Sequence, residues 1–334
     1  MRLVLLTLLG ASTLFAYAGF PIGQKSSHKG TVRIETQTVG RTGVGTGTIL
    51  KAVEKDGRGK LCVLTADHVI SVTGKASAEV VHWEMKVHGD SVGVASWSGN
   101  VKVLARQGRD AKFKGTTRWD MAVLEVDYGT VDDRFRALAK EVVKLEAYKD
   151  DEKDFTAYGY GRSGSEWNGQ DGGTTPIGWL AETGTDGWNW GTQRFWNQKV
   201  TETFTEEINE YKYEAARWLT RKPGKDLLGY GSSTVGDSGG PLFFGSGAKI
   251  GDIAVKSGIQ RGMVNTMVSA GDPSSRFAVL WDKDKFGGTG MIFDQAKLDW
   301  IKLHCDSVVP EPGTFAAVAL GAGVLLRRRS SRSA

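Results

Sequence analysis

The sequence predicts an all-β body, and three observations carry that prediction. Between positions 30 and 305, short apolar or alternating runs recur between glycine-rich turns. Glycine is plentiful, 45 of 334 residues, and proline scarce, at 7; tight turns that need φ > 0 call for glycine. Helical patterning is confined to two stretches. Strands at this spacing build a barrel or a sandwich.

In chain order, the run at 31–36 alternates, and those at 47–50, 61–65 and 121–126 are short and apolar. Runs at 155–158, 241–244 and 290–293 continue the series. A helix is expected over 206–219, which is rich in Glu, Tyr, Ala and Arg. A second is expected after Asp294, a good N-cap, with Leu298, Ile301 and Cys305 on one apolar face. Cys305 therefore points inward, and two outcomes stay open: a bond to Cys62, the only other cysteine, or a buried thiol. The charged segment 149–154 divides the body into similar halves and reads as a solvated connection. Six of the eleven tryptophans fall between Trp167 and Trp218. They either fill the core of a local insertion or form an aromatic face for substrate or a surface polymer.

The net charge of +5 comes from the ends. Five arginines (2, 327, 328, 329 and 332) and Glu311 lie there, and the remaining body holds 38 basic against 37 acidic residues. Nucleic acid is therefore not an expected partner. Residues 1–18 have a positive start, an apolar run from Leu3 to Phe15 and an Ala16-Tyr17-Ala18 cleavage pattern, which predicts a signal peptide. The tail carries Val309-Pro310-Glu311-Pro312, an apolar run at 315–326 and an arginine cluster.

Three motifs carry chemistry. Gly236-Asp237-Ser238-Gly239-Gly240-Pro241 places a serine among glycines, which let the chain turn sharply and aim N–H groups at a reacting carbonyl. A serine hydroxyl needs a base. Leu64-Thr65-Ala66-Asp67-His68-Val69 sets a histidine just after an apolar run. Trp119-Asp120-Met121-Ala122 opens a buried strand with a carboxylate, which is costly unless paired. An imidazole N–H is the natural partner. No usable phosphate-binding glycine loop and no metal-ligand spacing is present, so no cofactor and no metal are expected.

Taken together, the order His68, Asp120, Ser238 resembles that of trypsin-like (chymotrypsin-fold) serine proteases. The resemblance runs from about Thr31 to His304. Thr65-Ala-Asp-His68, Asp120-Met-Ala-Val-Leu and the complete Gly-Asp-Ser-Gly-Gly-Pro match the family's three motifs, and Gly45-Thr-Gly-Thr-Ile-Leu50 resembles the strand before the histidine. It implies two six-stranded antiparallel β-barrels with a C-terminal helix, an N-terminal barrel within 19–150 and a second within 151–305. It implies a serine endopeptidase acting on protein or peptide substrates. Ser238 would be the nucleophile, His68 the base and Asp120 its orienting partner, with the N–H groups of Gly236 and Ser238 as oxyanion hole. Ser232 would sit at the base of the specificity pocket, uncharged and suited to apolar side chains. The tail, 306–334, resembles a PEP-CTERM sorting signal of Gram-negative bacteria. That implies an exosortase-type partner and delivery to the cell surface, the outer membrane or outside, with transient anchoring in the inner membrane.

Some positions depart from the family pattern. Asp67 stands where alanine is usual and puts a second carboxylate beside His68. The segment near Gly19 lacks the Ile-Val-Gly-Gly start whose amine, in zymogen-type relatives, pairs with the aspartate matching Asp237. For the strand that binds substrate backbone, Val268-Ser269-Ala270-Gly271 fits the pattern while Ser257 has the more usual spacing from Ser238. A catalytically inactive surface binding protein on the same fold is the alternative reading.

Overall fold

The computed structural model describes residues 24–25, 28–38, 41–70, 84–91, 94–107, 119–161, 166–167, 179–180, 193–208, 211–221, 236–245, 247–250, 253–264 and 285–308. The first half holds β1 (Gln24–Lys25), β2 (Thr31–Thr38), β3 (Arg41–Lys55), β4 (Arg58–Ala66), the one-turn helix α1 (Asp67–Ile70), β5 (Glu84–Ser91), β6 (Val94–Gln107), β7 (Met121–Thr130) and α2 (Asp133–Lys140). The second holds β8 (Lys144–Leu145), β9 (Asp154–Gly159), β10 (Glu166–Trp167), β11 (Trp179–Leu180), β12 (Arg194–Lys199), β13 (Glu202–Ile208) and β14 (Tyr211–Arg221). It continues with β15 (Pro241–Phe244), β16 (Gly247–Ile250), β17 (Ile253–Lys256), β18 (Ile259–Val264), β19 (Lys285–Ile292) and α3 (Gln295–Asp306).

Strands β2 to β7 close a six-stranded antiparallel barrel in the order β2-β3-β4-β7-β6-β5. Its centre is apolar: Val32, Ile34, Ile49, Val63 and Leu124 are fully buried. The alternation read at 31–36 is this inward face of β2.

The second half is a nine-stranded sheet whose main path runs β1-β12-β9-β15-β18-β19-β14-β13, with β8 added to β18. Strands β12 and β13 stand six pairings apart on that path, yet only Val200 and Thr201 separate them in sequence. A flat sheet would hold them roughly 29 Å apart, and three chain steps span at most about 11 Å. The sheet therefore curls until its ends meet. Counting β12 and β13 as one interrupted strand, this is the second six-stranded barrel. Its core gathers Phe155, Trp196, Leu242, Phe244 and Val264.

The helix expected over 206–219 is instead the hairpin of β13 and β14, paired from Glu202↔Arg217 to Ile208↔Tyr211. The other edge of β14 pairs with β19, from Ala215↔Met291 to Arg221↔Lys285. Helix propensity amounts to tenths of a kcal/mol per residue, and a strand paired on both edges overrides it. The C-terminal helix forms as expected, with Asp294 Oδ1 accepting from Lys297 N at 2.9 Å. It buries Ile301 and Cys305. The open question over the cysteines is settled: Cys62 on β4 and Cys305 on α3 are bonded, their Cα atoms 5.5 Å apart.

The charged connection is only partly solvated. Lys149, Asp150 and Asp151 are exposed, but Arg261 on β18, itself buried, pairs with Glu146 at 2.7 Å and with Glu152. That guanidinium holds the Glu146 carboxyl below the usual carboxylate range. Of the tryptophan-rich stretch, Trp196 is a core residue, while Trp188 and Trp190 lie outside the described residues.

Candidate active site

The pairing of β4 with β7 brings His68 and Asp120 together across 52 positions of sequence. Ala66, the last residue of β4, is paired with Met121, the first of β7. The residues just beyond that rung, Asp67 and His68 on one side and Asp120 on the other, are therefore neighbours. His68 Nδ1 lies 2.8 Å from Asp120 Oδ2, and the His68 backbone N–H donates to Oδ1 at 2.9 Å. Asp120 is wholly buried, while the His68 side chain is 29% exposed. A carboxylate only accepts, so Nδ1 carries a proton, and in the neutral ring the lone pair is on Nε2. Asp120 has φ of 45°, a left-handed conformation that costs a non-glycine residue about 1–3 kcal/mol and persists where surrounding bonds fix it. One of those bonds runs from Asp67 N–H to Asp120 O at 3.1 Å. Helix α3 braces the segment from behind: Trp119 meets Trp300 edge-on at 6.2 Å, and the buried Lys297 ammonium lies 5.7 Å from the Trp119 ring.

Ser238 sits on the loop leading into β15, and Thr46 of β3 fastens that loop to the first barrel. Thr46 N–H donates to Ser238 O at 2.9 Å, and its hydroxyl donates to Gly236 O at 2.8 Å. The same hydroxyl accepts from Tyr160 N–H at 3.0 Å, and Thr46 O accepts from the Thr65 hydroxyl at 2.7 Å. Gly239 N–H donates to Val264 O, and Val264 N–H to Gly240 O. Gly239 has φ of 85°, and a side chain there would run into Thr46 O and the Thr65 hydroxyl. The serine loop is thus pressed onto the end of β4, next to the turn that carries His68. Ser238 is 8% exposed. No hydrogen bond joins its hydroxyl to His68 among the described residues. Nor does any acceptor among them take the N–H of Gly236 or Ser238. The buried Asp237 accepts from Gly161 N–H at 2.8 Å.

Asp67 does not turn toward the imidazole; Arg106 on β6 holds its carboxylate at 2.6 and 3.1 Å. Ser257 is not at the site. It lies in the exposed turn before β18, and its carbonyl is 2.9 Å from His28 Nε2. Because β18 meets the serine loop at Val264, Ser257 stands seven residues, about 20 Å, back along the strand. Ser232 and residues 268–271 lie outside the described residues. Sequence reasoning did not assign Thr46, Thr65 or Arg106. Thr46 lay inside the quoted Gly45-Thr-Gly-Thr run, whereas Arg106 had no local signal. Among the described residues, no group of three or more His, Cys, Asp or Glu side chains is placed to hold a metal ion.

No protein-family model and no curated protein matches the chain. Similar solved structures include the HL collagenase, 13% identical over 87% of this chain and 100% of that one, with a TM-score of 0.48. The protease Anisep from Arthrobacter nicotinovorans is 10% identical over 85% and 98%, TM-score 0.46. The thermostable serine protease AL20 from an extremophilic microorganism is 11% identical over 83% and 97%, TM-score 0.45.

Proposed function

We propose that this protein is a serine endopeptidase that cleaves peptide bonds through an acyl-enzyme intermediate. The observation that carries the reading is the His68 Nδ1–Asp120 Oδ2 hydrogen bond at 2.8 Å, beside a serine loop bonded to Thr46 on β3, the strand paired with the one leading into that turn. Asp120 fixes the tautomer and the direction of the ring and stabilises the imidazolium. His68 Nε2 takes the Ser238 proton as Oγ attacks the acyl carbon, then returns it to the leaving amine. The N–H groups of Gly236 and Ser238 receive the oxyanion, each such donor being worth about 2.7–4 kcal/mol of the barrier. Apo sites often lengthen the serine–histidine contact, so the missing bond there is compatible with this role.

The same reading has the chain exported, with residues 1–18 removed and the tail 306–334 processed by an exosortase-type enzyme at the surface of a Gram-negative cell. The Cys62–Cys305 bond supports an oxidising compartment. Ser232 at the pocket base favours cleavage after apolar or aromatic residues. The test is hydrolysis of a fluorogenic peptide library by wild type, His68→Ala and Ser238→Ala. Cleavage by wild type, lost by a factor of about 10⁴ or more in both variants, is expected. Equal background rates in all three would refute the reading.

A further inference from the structure

Asp67 belongs to the histidine motif, yet the triad does not use it. Its carboxylate is buried directly before the base in sequence. Arg106 engages both oxygens side-on, Nε to Oδ1 at 2.6 Å and Nη2 to Oδ2 at 3.1 Å. The register sets these two residues on opposite sides of β7, since Ala66 pairs with Met121 and Ala122 pairs with Arg106. Arg106 thus reaches over the beginning of β7, the segment that carries Asp120, to close on Asp67.

A carboxylate next to a base is a rival for its imidazole. Asp67 and Asp120 are both acceptors, and the imidazole has one Nδ1–H to give. A bidentate guanidinium occupies both oxygens of a carboxylate in a fixed plane. β3 and β4 meet this turn with uncharged residues: Gly45 packs against Val69, and Thr65 bonds Thr46. On β2, Arg33 and Glu35 lie 4.0 Å from one another.

We propose that Arg106 is a positioning residue: its side-on pair with Asp67 keeps that carboxylate off the His68 imidazole and reserves the imidazole for Asp120. The proposal rests on the reading of His68 as the base of a serine hydrolase. It predicts a suppressor. Arg106→Met takes the guanidinium off a buried carboxylate that directly precedes the base in sequence, and adding Asp67→Asn takes the rival away.

The experiment measures fluorophosphonate labelling of Ser238 in the full chain, resolved into KI and kinact, with Tm alongside. Arg106→Met is expected to lower kinact about 10- to 100-fold, with KI within about twofold. The double variant Asp67→Asn/Arg106→Met is expected to recover to within about threefold of wild type. If Arg106→Met fails to fold, Arg106→Lys carries the comparison, because one ammonium cannot hold both oxygens side-on. Wild-type kinact in the single variant, or a double variant as slow as the single, overturns the proposal. The downfield proton resonance of His68 Nδ1–H is recorded in parallel and needs no turnover. If wild type fails to label, the hydrolase reading fails on its own; a resonance then unchanged in Arg106→Met overturns the positioning role as well.

Discussion

The Thr46 hydroxyl offers a test in which two atoms decide the result. Thr46→Val keeps the side-chain shape and removes only the oxygen. That oxygen donates to Gly236 O at 2.8 Å and accepts from Tyr160 N–H at 3.0 Å, all in a buried setting. Leaving two buried backbone groups unpaired costs about 1–3 kcal/mol each. A total of about 2–6 kcal/mol is a fall of roughly 4–12 °C in Tm for a body of this size. The Gly236–Asp237 peptide also loses its tie to the first barrel, so the proposed oxyanion donors on either side of it, the N–H groups of Gly236 and Ser238, are expected to loosen. A tenfold or greater loss of labelling rate at Ser238 is therefore expected at temperatures where the variant is folded. Thr46→Ser keeps both bonds and is expected to stay within about 1–1.5 kcal/mol of wild type. The assays are thermal unfolding followed by circular dichroism and fluorophosphonate labelling below both midpoints. A Thr46→Val protein equal to wild type in both, or a Thr46→Ser protein as damaged as Thr46→Val, would refute the reasoning.

Three further outcomes are expected. The Cys62–Cys305 bond joins residues 243 apart and is expected to contribute about 3–5 kcal/mol by restricting the unfolded chain; a Cys62→Ala/Cys305→Ala protein should unfold at clearly lower denaturant, and an unchanged midpoint would count against this. Burial beside Tyr158 and Phe243 pushes the His28 imidazole below its ordinary 6.5, against the opposing effects of the Ser257 carbonyl and Glu141. Its stabilising share is thus complete above pH 6.5 and lost as pH falls below 6.5 through the folded value, so Tm measured from pH 7.5 to 5 should fall less in His28→Gln than in wild type. Gly239→Ala strains a left-handed residue and drives a methyl into Thr46 O, so soluble protein that labels at the wild-type rate is not expected.

The strands were legible through their burial: the alternation at 31–36 became the half-buried β2, and the continuous apolar runs at 61–65 and 121–126, buried on both faces, became β4 and β7. The 206–219 segment was misread because its residue types favour a helix, while the pairing of β14 with both β13 and β19 is invisible in a local window. The triad candidates were legible through three short motifs, and the β4–β7 register explains how His68 and Asp120 meet. Arg106 was not legible, because its partner lies 39 positions away and is reached only across a third strand. Thr46 was hidden differently, as one threonine among several in a strand, distinguished only by the loop that packs on it.

The most direct measurement is reaction of the full chain with a fluorophosphonate, followed by peptide mapping of the adduct. The account predicts one adduct, on Ser238, absent in Ser238→Ala and slowed at least about 10³-fold in His68→Ala. A folded wild-type protein that forms no adduct, or forms it equally in His68→Ala, would contradict it.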